Sequence, residues 1–273
     1  MRKISILFLI LSITVFAFAF GEGAYFKKGL KAFNDGDYVT AKVFFNESIN
    51  KNPKFSRGYS YLALSQSYIG EIDNAIMNYQ MAFKFDKKDY SSLTNLCSLF
   101  IDKGNMSAAH KACTKALSIN PKSYKALSNR CQVFIQSKRY DSAIGDCSQA
   151  IQVKGDYAKA YSNRGIAYTG LSQYESAVSD FDMAIKYNPT DAMAYNNRCN
   201  AFKELKEYDK ALADCNKAIA MDKNLPEAYF NRGAVYEHLG QNSDAAFEYS
   251  RYLKFNPEAE TVRQKMKRLM KGE

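Results

Sequence analysis

The residues able to do chemistry in this chain recur at fixed spacings. Six cysteines form three pairs separated by 16 positions: Cys97 and Cys113, Cys131 and Cys147, Cys199 and Cys215. Four arginines stand at the same separation from a carboxylate: Arg130 and Asp146, Arg164 and Asp180, Arg198 and Asp214, Arg232 and Glu248. Asn95, Asn129, Asn163, Asn197 and Asn231 recur every 34 residues. Thiols at such spacing are disulfide partners in an oxidising compartment, or small buried hydrophobes in a reducing one. An arginine on the core-facing side of a helix needs a carboxylate, because leaving it unpaired costs several kcal/mol; the alternative is a cationic row facing a ligand. A carboxamide both donates and accepts, so a regular row of them can hold the main chain of an extended peptide.

Other chemistry finds little material. There are two histidines, His110 and His238, and no Cys-x-x-Cys, His-Glu-x-x-His or glycine-rich phosphate loop. The chain is therefore read as a non-enzyme without metal or cofactor. Formal charge is +10, or +8 without Arg2 and Lys3, spread over both signs with no basic run longer than the Lys-Met-Lys-Arg of the tail. That pattern argues against a nucleic-acid partner.

Elements that could position these residues follow from a repeat of 34. Alanine recurs at Ala41, Ala75, Ala109, Ala143, Ala177, Ala211 and Ala245, and proline at Pro53, Pro121, Pro189 and Pro257, 68 apart. Numbered 1 to 34 from Glu22, seven repeats reach Ala259 without insertion. Position 4 is Tyr or Leu throughout, and position 28 is Ile, Leu or Phe. Apolar residues three and four apart within each repeat, broken near position 15 and closed by Asn-Pro at 31 and 32 in the odd repeats, predict two amphipathic helices. Low proline and glycine with many aromatic residues agree with long helices rather than a turn-rich β fold. From Glu260 to Glu273, Val262, Met266, Leu269 and Met270 share one face amid Lys and Arg, as in a helix closing a stack.

A small residue at 8, an aromatic at 11, glycine at 15, tyrosine at 17, alanine at 20 and 27 and proline at 32 resemble the tetratricopeptide repeat. Tryptophan is missing at 4, and proline at 32 gives way to Lys87, Gly155 and Lys223 in the even repeats. The resemblance implies an all-α, right-handed superhelical solenoid: residues 22–259 as seven helix hairpins, 260–273 as a cap helix. It also implies a protein–protein interaction scaffold whose first helices line a trough, with positions 2, 5, 6, 9, 12 and 13 facing an extended peptide. The expected contacts are Asn95, Asn129, Asn163, Asn197 and Asn231 at position 6, with Lys125 and Lys159 at position 2. Against this stands the reading that the asparagines are relics of duplication. The clamp with which family members grip acidic chaperone tails is absent, because position 5 carries no basic residue and position 6 none beyond Lys27.

Seven repeats also sample one environment seven times. Positions 8 and 24 read Gly29 with Phe45, Ala63 with Tyr79, Gly165 with Phe181, Gly233 with Tyr249, and cysteine with cysteine in the other three. A disulfide thus occupies the space an aromatic fills elsewhere, which selects one pairing from the 15 that six cysteines allow. Helices packed ~8–10 Å apart over small residues bring Cα atoms within the ~7 Å a disulfide tolerates.

Residues 1–21 begin with Arg2 and Lys3, run without charge from Ile4 to Phe20, and offer Ala17-Phe18-Ala19 to a signal peptidase. A cleaved secretory leader is expected, the alternative being an uncleaved anchor, the chain's one route to the membrane. The expected localisation is exported, periplasmic or secreted, with a protein partner bound in the trough. In the alternative reading the chain is a structural subunit of a membrane-associated assembly that docks by its convex face.

Overall fold

The structure is a computed structural model describing residues 22–271, so the expected leader lies outside the described residues. Fifteen α-helices follow one another there without a strand: α1 (22–34), α2 (Tyr38–Lys51), α3 (Ser56–Tyr68), α4 (Ile72–Phe85), α5 (Tyr90–Asp102), α6 (Met106–Ile119), α7 (Tyr124–Gln136), α8 (Tyr140–Val153), α9 (Ala158–Gly170), α10 (Tyr174–Tyr187), α11 (Ala192–Glu204), α12 (Tyr208–Met221), α13 (Pro226–His238), α14 (Asn242–Phe255) and α15 (Glu260–Lys271). Odd-numbered helices open the repeats and even-numbered ones close them.

Two local devices stop and restart the helices. Position 15 has positive φ in all seven repeats, at Gly36, Gly70, Gly104, Lys138, Ser172, Lys206 and Gly240. The N–H that follows then donates back to the carbonyl of position 11 at 2.8–2.9 Å, the six-to-one bond that terminates a helix. New helices start on Asp37, Asp89, Asn105 and Asp191, whose side chains accept main-chain N–H groups of the first turn. Pro226 opens α13, where its missing N–H costs nothing.

The chain divides into two compact units, one ending at Arg130 and the other starting at Cys131. In the N-terminal unit Phe26, Phe45 and Leu62 form an aromatic-rich core with Phe33, Phe55 and Tyr61. In the C-terminal unit each first helix packs on its own second helix and on the one before it, so the core is a series of small clusters rather than one mass. Helix α15 ends that series, with Val262, Met266 and Leu269 against Tyr249, Tyr252 and Leu253.

The contact between positions 8 and 24 sits at the centre of each hairpin. A Cβ added to Gly29 would lie 2.6 Å from the Phe45 ring, and one added to Gly165 would lie 2.7 Å from Phe181. In three hairpins the same space holds a disulfide: Cys97–Cys113, Cys131–Cys147 and Cys199–Cys215, with Cα separations of 5.4, 5.6 and 5.5 Å.

Candidate functional site

Arginine at position 7 is a fixture of the packing. Arg164 meets Asp180 through two bonds of 2.7 Å, and Arg198 meets Asp214 in the same fork-to-fork geometry. Arg232 reaches Glu248, one methylene longer, through a single bond of 2.8 Å. That leaves Arg232 Nε and Glu248 Oε2 buried without a partner among the described residues. Each of these arginines also donates to position 25 of the preceding repeat: Arg164 to Ser148 at 3.0 Å, Arg198 to Asp182 at 2.5 Å and Arg232 to Asn216 at 2.6 Å. Burial pushes the Arg198 guanidinium down, but the hydrogen bonds it donates to Asp214 and Asp182 outweigh it and hold the group further above its ordinary range. Sequence covariation within a repeat reveals the first partner and misses the second, because position 25 changes from Ser to Asp to Asn while still accepting.

The five asparagines at position 6 do not form an open ladder. Asn129 and Asn163 are buried, at 6% and 8% exposure. Asn129 donates to the carbonyl of Thr94 at 3.4 Å, and Asn231 donates to Asn196 Oδ1 at 2.9 Å. Both bonds run from position 6 of one repeat to position 5 of the repeat before it. Asn95 donates instead to the hydroxyl of Tyr79 at 3.0 Å, a phenol that burial holds well above its ordinary pKa. At Asn129 the short, buried Thr94 at position 5 of the preceding repeat lets the asparagine reach its carbonyl and fill the seam. Asn197 is half-buried and has no hydrogen-bond partner among the described residues.

Grooves that border the first helices open in both units. In the N-terminal unit a groove of about 720 Å³ runs beside the starts of α3, α5 and α7 and is lined by Arg57, Lys122, Lys125 and Asn95 among others. Asp89 also lies there, but its carboxylate is taken by Ser60 and Ser92 hydroxyls at 2.8 and 2.6 Å. In the C-terminal unit a smaller groove of about 290 Å³ is lined by Asn197, Asn200, Glu227, Phe230, Asn231 and Tyr252. Lys159 is exposed on α9 and borders neither. His238 stacks on Tyr208, with ring centroids 5.8 Å apart, and lines neither groove. No group of three or more metal-ligating side chains occurs among the described residues, and no described helix is long and apolar enough to cross a membrane.

Comparison with known families decides what these hairpins are. Tetratricopeptide repeat families match residues 90–123, 158–191 and 226–258, whose starts coincide with those of α5, α9 and α13, and a further TPR repeat family matches 199–240. The chain is a tetratricopeptide-repeat protein. Its repeats are similar to Photosystem I assembly protein Ycf3 of Prochlorococcus marinus subsp. pastoris, 33% identical over 86 residues that cover 30% of this chain and 50% of that protein. The chain thus spans about half the length of the curated relatives it matches. Among solved structures, a tetratricopeptide repeat protein from Parabacteroides merdae superposes with a TM-score of 0.69 at 21% identity, over 92% of this chain and 99% of that one. The APC/C hetero-tetramer Cut9–Hcn1 superposes with a TM-score of 0.73 at 18% identity, over 84% of this chain and 45% of that one. At these identities the likeness concerns the all-α repeat fold. Proteins of the tetratricopeptide class mediate protein–protein interaction.

Proposed function

We propose that this chain is an exported, non-catalytic scaffold that holds an extended segment of a partner protein against its first helices. The observation that carries the reading is the hydrogen-bonding capacity left unspent in the two grooves. Lys125, Asn197 and Glu227 have no partner among the described residues, while most polar side chains buried nearby are satisfied within the fold. Export follows from the leader expected at 1–21 and agrees with three buried disulfides in one small chain. Relatives described as assembly proteins or as subunits of a complex favour a role in assembly.

A second reading is favoured by exposed apolar side chains on second helices. Val39 and Val43 on α2, Met77 on α4 and Phe247 on α14 are each more than half exposed, and they would seat a membrane-associated assembly on the convex face. Photo-crosslinking separates the two. A benzoylphenylalanine placed at Lys125 or Asn197 is expected to capture a partner from the native envelope fraction, and one placed at Val43 or Phe247 is not. Capture only from Val43 and Phe247 moves recognition to the second helices.

A further inference from the structure

We propose that the groove between α11 and α13 is a pocket for one basic side chain, lysine or arginine, of the bound segment; this deepens the reading that first helices receive a protein. Its volume of about 290 Å³ lies at the bottom of the roughly 300–1,000 Å³ usual for ligand pockets, which suits a single long side chain rather than a cofactor.

The carboxamides sort themselves by what they have already bonded. Asn196 Oδ1 accepts from Asn231, and Asn196 Nδ2 points at the sulfur of Met193 at 3.9 Å. Asn200 Oδ1 accepts from the ammonium of Lys203 at 2.8 Å. Four groups remain without a partner among the described residues: the Asn197 carboxamide, the Asn200 amide nitrogen, the Asn231 oxygen and the exposed carboxylate of Glu227. The amide groups offer both donors and acceptors, and the one charged group among the four, the Glu227 carboxylate, is an acceptor.

Apolar lining completes the recognition of a cation. Phe230 and Tyr252 lie with ring centroids 5.4 Å apart and are half-buried beside the acceptors. Their faces suit the methylene stem of a lysine or the plane of a guanidinium. Lys203 shows that this carboxamide cluster takes an ammonium, and its own charge is matched by Glu204 at 3.0 Å, so Glu227 keeps an unneutralised charge. Position 2 marks the specificity: Glu227 stands where repeats four and five carry Lys125 and Lys159. A basic side chain is thus matched to the seventh repeat and not to those.

The test uses the full chain with ¹⁵N-labelled side-chain amides, titrated with N-acetyl methylamides of lysine, arginine, norleucine and glutamate. The lysine and arginine compounds are expected to shift the Asn197 and Asn231 amide resonances. The norleucine compound should bind at least tenfold more weakly, and Glu227→Gln should abolish the difference with helicity and melting temperature unchanged. Equal binding of norleucine, a preference for glutamate, silence of both amides toward every probe, or an undiminished response in Glu227→Gln each overturns the proposal. Equal binding of norleucine changes the class of side chain and leaves the first-helix reading standing; that reading fails on its own if crosslinks form only at Val43 and Phe247.

Discussion

Position 15 places one residue of every repeat in the left-handed backbone region, yet Lys138, Ser172 and Lys206 adopt φ of 56°, 58° and 60° there without being glycine. An L side chain pays about 1 kcal/mol for that conformation, offset in part by the lower entropy of its unfolded chain. Lys138→Gly, Ser172→Gly and Lys206→Gly are each expected to raise stability by about 0.5 kcal/mol in denaturant melts, and a loss on substitution would show that the side chains contribute contacts of their own. The position 7 pairs allow a sharper experiment. Asp214→Ala leaves Arg198 half-buried with Asp182 as its remaining partner, at a cost near the lower end of the 3–5 kcal/mol typical of a broken buried pair. Repeat three fills the same two positions with Leu96 and Ala112, so the double variant Arg198→Leu with Asp214→Ala is expected to recover at least half of that loss. No recovery would mean that the second bond, from Arg198 to Asp182, carries more of the energy than the first.

Helix α15 is the element whose attachment depends on pH. Its Lys265 pairs at 2.8 Å with Glu237 of α13, and the same carboxylate accepts from the Tyr249 hydroxyl at 2.7 Å. Burial pushes the Glu237 carboxyl up, but the hydrogen bonds from Lys265 and Tyr249 outweigh it and hold the group below the ordinary glutamate range. A depressed carboxyl contributes stability that is present above about pH 4.3 and lost as pH falls through the folded value. Amide signals of α15 are therefore expected to weaken below about pH 4 before those of α13. Glu237→Gln should flatten that pH dependence, and an unchanged profile would place the titration elsewhere. Helix boundaries of this kind were legible in the sequence, because alanine at 20 and the break near 15 repeat with a strict period and α2 to α14 keep it. The site was less legible. Periodicity marks position 6 as one environment but does not say whether it faces solvent or a seam: Asn129 closes on Thr94 and Asn231 on Asn196, while Asn197, preceded by the equally short Ser162, stays beside an open groove. The second acceptor of each arginine escaped notice for a related reason: Ser148, Asp182 and Asn216 share a function without sharing a residue type.

At the scale of each compact unit, stability is a sum of local terms, since neighbouring helices pack pairwise and the core among the described residues is a series of small clusters. Disulfides within single hairpins should act locally in such an architecture. Each closes a loop of 16 residues, worth roughly 3 kcal/mol in the chain-entropy treatment, and each replaces the pair of a small residue and an aromatic that fills the same space in other repeats. Reduction is therefore expected to lower hydrogen-exchange protection in repeats three, four and six, leaving the hairpin of Gly165 and Phe181 the better protected neighbour and the far-ultraviolet helical signal nearly intact. The pair itself should be exchangeable: Cys131→Gly with Cys147→Phe is expected to restore most of the protection that reduction removes from repeat four, whereas Cys131→Ala with Cys147→Ala leaves a cavity and should cost about 2–5 kcal/mol more than the exchanged pair, as large-to-small core changes do. Equal stability of the two double variants would show that the space between positions 8 and 24 collapses without an aromatic. Global loss of helix on reduction would show instead that the repeats fold as one cooperative body.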